Sequence, residues 1–151
     1  PPGTSALWGV VREGSRVVPG ALLSLATVRD GAADTVTTLS GRDGSYLIVL
    51  PFERIDRSVN PPVRAFNRVL SVFAPRPDVA AALAARGFLA GQPANVFGLT
   101  AAQRNARFLP RTFELRDTGG TLHPQVGGQN PPVSVSVGMN VRLDIELLPL
   151  P

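Results

Sequence analysis

Few groups in this chain could do acid–base or nucleophilic chemistry, because it contains one histidine, His123, and no cysteine. A catalytic histidine needs a second side chain that orients its ring, and the spacing around His123 supplies none. The Gly-x-Ser-x-Gly sequence that presents a serine nucleophile in many hydrolases is also missing. We therefore interpret His123 as an ordinary loop residue and expect that the chain is not an enzyme.

Three aspartates near predicted turns are the best candidates for a metal site. Asp30 and Asp34 flank Gly31-Ala32-Ala33, and together with Asp43 they could offer oxygen ligands to Ca²⁺ between loops. Their spacing does not match an EF-hand loop, and aspartates in turns commonly accept hydrogen bonds from their own backbone. The turn role is favoured, so we expect no metal and no other cofactor.

Charge is unevenly distributed along the chain. All 15 cationic side chains are arginines, and residues 52–131 hold 10 of them against 5 acidic residues. Within this basic region Glu53 and Asp56 alternate with Arg54 and Arg57, a pattern that favours ion pairing over a catalytic carboxylate pair. No two arginines are adjacent and aromatic residues do not alternate with them, so nucleic-acid binding is not expected.

Composition indicates one domain that is rich in turns. The 151 residues include 15 glycines and 15 prolines, which leaves little room for long helices. The longest apolar stretches, such as Val79 to Ala85, are far shorter than the ~20 residues that a membrane-spanning helix needs. We expect a single domain over 1–151 without a membrane span.

Short segments rich in β-branched and apolar residues predict an all-β fold. The predicted strands are Leu7–Val11, Ala21–Val28, Thr35–Leu39, Ser45–Leu50, Val69–Phe73, Val133–Val137 and Val141–Leu147. In 141–147 the alternation predicts Val141, Leu143, Ile145 and Leu147 inward, with Arg142, Asp144 and Glu146 outward.

Turn residues between these strands predict how they connect. Asp30-Gly31 marks one turn, and Asp43-Gly44 predicts a tight hairpin that joins Thr35–Leu39 to Ser45–Leu50. Gly138-Met139-Asn140 likewise predicts an antiparallel connection between the last two strands.

Residues 51–132 are predicted to form an elaborated, partly helical insert. An Ala-rich segment with a helix start and a Gly stop predicts a helix near 78–86. Thr100 and Gln103 form a capping-box pattern that predicts a second helix near 101–108. Residues 118–132 are rich in Gly, Pro and Gln without periodicity, which predicts a long loop.

The order of these motifs resembles the carboxypeptidase regulatory-like domain. The resemblance rests on residues 7–11, on Val18-Pro19-Gly20-Ala21, on Gly41 to Tyr46 and, more loosely, on 141–145. It implies a seven-to-eight-stranded antiparallel sandwich, Ig-like or transthyretin-like, in which the Gly and Asp positions serve turns. It also implies a scaffold found on extracellular and cell-surface proteins, with the partner left open.

These observations favour a structural or assembly protein over an enzyme. We expect a subunit or module of an extracellular filament, appendage, cell-surface or phage-like tail assembly, with copies of itself or another surface protein as partner. The alternative is a recognition module that binds carbohydrate, peptide or a partner protein through the insert. Aromatic and basic residues of the insert are the candidate interface residues: Phe97, Phe108, Arg104, Arg107 and Arg111.

Overall fold

The computed structural model describes residues 4–29, 31–50, 60, 65–86 and 100–150. Up to residue 75 the strands are β1 Ser5–Glu13, β2 Arg16–Val17, β3 Leu22–Arg29, β4 Ala32–Leu39, β5 Ser45–Leu50, β6 Ala65–Arg68 and β7 Leu70–Pro75. Helices α1 Pro77–Arg86 and α2 Ala101–Arg107 follow. The chain continues with β8 Phe108–Arg111, β9 Phe113–Asp117, β10 Leu122–His123, β11 Val133–Ser136 and β12 Asn140–Leu147.

The strands form an all-β sandwich, as the sequence predicts. In the first sheet the order is β10-β9-β12-β1, and both β5 and β2 pair with β1. The second sheet has the order β4-β3-β7-β8, and β6 and β11 form a separate two-stranded ribbon. A single main core lies between these layers and takes buried side chains from β1, β3, β5, β7, β9, β11 and β12.

The predicted alternation in the last strand is confirmed. Leu143, Ile145 and Leu147 are buried in the core, and Val141 packs against it. The two strands that flank β12 run in different directions relative to it. β12 pairs antiparallel with β9 but parallel with β1, whereas the sequence predicts antiparallel pairing only. The sandwich is therefore not purely antiparallel.

The predicted hairpin at Asp43-Gly44 is wrong. The turn is present, with Gly44 at φ +80°, but β5 pairs with β1 of the opposite sheet and not with β4. Ser40 secures the crossing, because its hydroxyl accepts a hydrogen bond from the amide of Ala21 and donates one to the carbonyl of Val18. Gly44 then lies against β1, and its carbonyl accepts a hydrogen bond from the amide of Val11 at 2.8 Å.

The predicted hairpin between the last two strands is also wrong. β11 pairs with β6, whereas β12 lies between β1 and β9. The connection crosses between layers, and the amide of Gly138 donates to the hydroxyl of the buried Ser5. A glycine-containing turn reverses the backbone but does not decide which sheet receives the next strand.

Gly9 allows an unusually close approach between β1 and β12. A Cβ atom at this position would overlap the carbonyl oxygen of Leu143. Tyr46, which is opposite Gly9 in β5, donates its hydroxyl to that same carbonyl at 2.5 Å. The amide of Val10 is bound by the Asp144 carboxylate at 3.0 Å. Two side chains thus replace ladder hydrogen bonds here, and burial raises the pKa of the Tyr46 phenol.

Both predicted helices are confirmed to within one residue at each end. The capping box is present at the start of α2, where the Thr100 hydroxyl accepts from the Gln103 amide and the Gln103 side chain accepts from the Thr100 amide. No helix in the described parts of the chain is both long and apolar enough to cross a membrane.

The described part of 51–132 contributes to the sandwich itself. A mere insert would leave the core to residues 7–50 and 133–148 alone. The core instead includes Leu70 and Val72 of β7 and Phe113 and Leu115 of β9, and both strands have neighbours on two sides. Without β7 the second sheet would lose part of its core-facing surface, and without β9 the first sheet would lose part of its own.

Candidate binding surfaces

Two of the expected interface residues pack within the chain's own fold. Phe108 is buried in a small second cluster with Leu22 and Phe73, on the face of the second sheet that points away from the main core. Arg104 of α2 lies over the Phe73 ring, with its guanidinium carbon 4.5 Å from the ring centroid. Phe97 lies outside the described residues. The α2 segment thus covers this face of the sheet with its own side chains.

Arg111, also expected at the interface, is buried and links three segments of the chain through its hydrogen bonds. It makes a two-pronged ion pair with Glu13 at the end of β1, with N–O distances of 3.1 and 2.8 Å. Its guanidinium also donates to the Leu148 carbonyl beyond β12 at 2.8 Å. Arg107, in contrast, is exposed at the end of α2. Of the expected set, Arg107 is the most accessible described residue.

Replacing Arg111 with Ala should destabilise the chain by about 3 kcal/mol, because the Leu148 carbonyl and the Glu13 carboxylate both lose their buried partner. Arg107→Ala is the matched control and should change the free energy of unfolding by less than about 0.5 kcal/mol. Urea unfolding followed by circular dichroism measures both. Equal effects of the two variants would contradict the role given to Arg111.

The same ion pair makes stability depend on pH. The hydrogen-bonded Arg111 guanidinium lowers the pKa of Glu13 below its ordinary value. Because the folded-state pKa is lower than the unfolded one, this stabilisation is complete above the unfolded pKa of about 4.3 and is lost as pH falls through the folded value. The difference in stability between parent and Arg111→Ala should therefore shrink in acid.

Of the aspartates considered for Ca²⁺, Asp34 lies within strand β4 and Asp43 lies in a turn. Asp34 accepts a hydrogen bond from the Thr35 amide, and Asp43 accepts from both the amide and the hydroxyl of Ser45. The Ser45 hydroxyl is the main cause of the lowered pKa of Asp43. Asp30 lies outside the described residues, which contain no group of three side chains suited to hold a metal ion.

The structure gives His123 an orienting partner that the sequence reading missed. β9 and β10 form a hairpin around Thr118-Gly119-Gly120-Thr121, which places the His123 Nε2 3.0 Å from Asp117 Oδ2. The predicted pattern of alternating charges lies outside the described residues; it consists of Glu53, Arg54, Asp56 and Arg57. The sequence feature that could have predicted this pair is the Asp-x-Gly-Gly turn between two short apolar segments. Such a turn brings residues six apart together.

Asp117 is held in place by backbone as well as by His123. Its Oδ1 atom accepts hydrogen bonds from the amides of Gly119 and Thr121, both at 3.0 Å. The hydrogen bond from His123 is the main cause of the lowered pKa of Asp117. Because an ionised carboxylate only accepts, Nε2 carries a proton, and Nδ1 is an acceptor when the ring is neutral and a donor when it is protonated.

The pair lies in a cleft of about 510 Å³, which we call the His123 cleft. One wall is the β9–β10 hairpin and the other is the β6–β11 ribbon, with Asn67, Ser134 and Ser136. Leu115, Leu143 and Val141 form an apolar floor that continues into the core. In the described part of the chain neither serine hydroxyl is hydrogen-bonded to His123, so the cleft shows no assembled nucleophile.

The loop that lines one side of the His123 cleft is held in place by hydrogen bonds within the chain. Asn130 Oδ1 accepts hydrogen bonds from the Phe113 amide and the Gln125 side chain, both at 3.1 Å. Val126 and Gln129 exchange two backbone hydrogen bonds of 3.1 Å. The predicted long loop thus has internal structure, and Pro124, Pro131 and Pro132 line the cleft from it.

A second surface lies on the outer face of the first sheet, where apolar side chains meet at its β5 side. Trp8 of β1 is directly opposite Leu47 of β5, and Val49 follows on the same face. These three residues, which we call the β5 patch, are 42%, 55% and 42% exposed. The Arg142 guanidinium carbon lies 5.1 Å from the Trp8 ring centroid and borders the patch.

The chain matches no protein-family model and no curated protein. The resemblance to the carboxypeptidase regulatory-like domain therefore stays a prediction.

Proposed function

We propose that this chain is a non-catalytic structural module that assembles with copies of itself through β5 and the β5 patch. It acts as a subunit or module of an extracellular or cell-surface assembly such as a filament, appendage or phage-like tail. The observation that carries the proposal is an edge strand with apolar side chains on its solvent face.

β5 has the features of a strand that accepts a further strand. Its inward residues Tyr46, Ile48 and Leu50 fill the core, while Leu47 and Val49 point to solvent. Among the described residues β5 pairs with β1 alone, and of the backbone groups on its other edge only those of Ser45 have partners there, the Gly41 amide and the Asp43 carboxylate. Proteins usually protect such edges with charges, proline or a bulge, and Ser45–Leu50 contains no charged residue and no proline.

Self-complementarity makes another copy of β5 a fitting partner. An uncharged six-residue segment of high β propensity pairs well with an identical segment. An antiparallel β5–β5 pair would bring Leu47 and Val49 of each copy together and extend the β5 patch across both molecules. The apolar side chains would then be covered while the backbone groups of the edge are hydrogen-bonded.

The other edge on this side of the sandwich provides a contrast. β4 pairs with β3 alone among the described residues, but its exposed positions are small or polar, such as Ala33 and Thr35. Pairing through β4 would bury little apolar surface. The difference between two neighbouring edges is the basis for a matched test.

Replacing Leu47 with Lys should prevent assembly without unfolding the chain, because it places a charge on the outward face of the edge strand. Thr35→Lys makes the corresponding change on β4 and should assemble as the parent does. Analytical ultracentrifugation over a concentration series and negative-stain electron microscopy measure the products, and circular dichroism checks that both variants are folded.

Three results would contradict this proposal. A parent chain that stays monomeric up to about 1 mM, where a contact of about 4 kcal/mol is half occupied, would exclude self-assembly. Equal assembly of parent and Leu47→Lys would show that another surface is used. Loss of assembly in both variants would mean that β5 has no special role.

A further inference from the structure

The His123 cleft has the size and lining of a small-molecule site. Its volume of about 510 Å³ falls within the range of about 300 to 1,000 Å³ that is usual for ligand pockets. It lies between the β9–β10 hairpin and the β6–β11 ribbon, away from the β5 patch. Its occupancy is therefore a separate question from assembly.

One wall offers neutral polar groups that no other described residue binds. Asn67 and Ser134 are directly opposite in the β6–β11 ladder, and Ser136 is two residues farther along the same face. Their side chains line the cleft and make no hydrogen bonds within the described part of the chain. Hydroxyl and amide groups both donate and accept, so they suit a ligand whose groups do the same.

The other wall offers one oriented imidazole ring and a carboxylate that is already hydrogen-bonded. Asp117 accepts three hydrogen bonds, from the Gly119 and Thr121 amides and from His123. It therefore orients the ring of His123 and is not available as a ligand for a cation. The Nδ1 atom of His123 is left to contact a ligand hydroxyl, which can both donate to the neutral ring and accept from the protonated one.

The charge of the described lining disfavours anionic ligands in the cleft. No arginine belongs to its described lining, and the only permanent charge there is the Asp117 carboxylate. A phosphate or carboxylate would enter without a cationic partner and would face this negative charge. The apolar floor of Leu115, Leu143 and Val141 instead suits the C–H faces of a neutral ring.

We propose that the His123 cleft binds a neutral saccharide, whose hydroxyls contact Asn67, Ser134, Ser136 and His123 while a ring face lies over the apolar floor. This makes the module a carbohydrate-recognition unit in addition to its proposed structural role. The inference stands on the cleft alone and does not depend on pairing through β5.

Saturation-transfer difference NMR and isothermal calorimetry with the full chain test this, because both methods work at any assembly size. The probes are methyl glucoside, methyl galactoside, N-acetylglucosamine, maltotriose and glucose 6-phosphate. We expect at least one neutral probe to bind with a Kd of about 1 mM or lower. Glucose 6-phosphate should bind at least about fivefold more weakly than glucosides do, because the described lining holds no arginine and presents the Asp117 carboxylate.

Substitutions in the cleft test whether the neutral probe binds there. Ser134→Ala and Asn67→Ala should each weaken binding of the neutral probe by about three- to tenfold, the range expected for one lost hydrogen bond. Thr35→Ala on β4 is the control and should bind as the parent does. All three should melt within a few degrees of the parent.

Three outcomes with the parent and the cleft variants would overturn the proposal: no neutral probe binds, the phosphate sugar binds best, or Ser134→Ala and Asn67→Ala both retain parental affinity. Binding that persists in Leu47→Lys would support independence from assembly. Binding that is lost in Leu47→Lys, with the fold intact, would place the ligand at the β5 surface and also overturn it.

Discussion

Replacing Ile145 with Asp should unfold the chain or destabilise it by about 5 kcal/mol. Ile145 is fully buried at the centre of β12, between β1 and β9. A carboxylate there would lose its hydration without gaining a cationic partner, which is among the most costly single changes. Such a loss is comparable to the whole stability of many domains. Urea or thermal unfolding measures it.

The matched control is Val28→Asp, which makes a similar change at an exposed position of β3. It should leave the free energy of unfolding within about 1 kcal/mol of the parent. If Ile145→Asp were as stable as Val28→Asp, β12 could not be a central strand and the sandwich would be wrong.

Replacing Gly9 with Ala should cost about 3 kcal/mol, although only one methyl group is added. The new Cβ would overlap the Leu143 carbonyl and lie 2.9 Å from the Asp144 carboxylate. To relieve the overlap, β1 and β12 must separate, which disturbs both the Tyr46 and the Val10 hydrogen bonds. Urea unfolding monitored by fluorescence of the single tryptophan, Trp8, reports on this region.

Gly119→Ala is the control for the Gly9 variant. A Cβ there would meet only the Asp117 carboxylate at 3.4 Å, so stability should change by less than about 0.5 kcal/mol. Tyr46→Phe should lie between the two, at about 1 to 2 kcal/mol, because it leaves the Leu143 carbonyl without its donor. A Gly9→Ala variant as stable as Gly119→Ala would show that β1 and β12 are not so close.

Local patterns were sufficient to predict several elements. Period-two alternation predicts β12 and the side of it that is buried, because that information lies within the strand. The Thr100 capping box predicts the start of α2 for the same reason, since its two hydrogen bonds join residues three apart. Turn glycines such as Gly44 were also predicted correctly as turns.

Strand pairing could not be predicted in the same way. Asp43-Gly44 and Gly138-Met139-Asn140 reverse the chain locally, but the next strand is taken up by whichever sheet buries its apolar face. β5 joins β1 and β11 joins β6 for this reason, with partners far away in the sequence. The roles of Gly9 and Arg111 depend on such distant contacts too, so their residue types alone predicted neither.

By itself the sequence determined the all-β class, the two short helices, the turn positions and the buried face of β12, because each depends on neighbours within a few residues. Only the tertiary structure decided the sheet partners, the burial of Phe108 and Arg111, and the two candidate surfaces. The β5 patch exists because pairing with β1 leaves Leu47 and Val49 on an outer face beside Trp8. The His123 cleft exists because the sandwich brings the β9–β10 hairpin next to the distant β6–β11 ribbon.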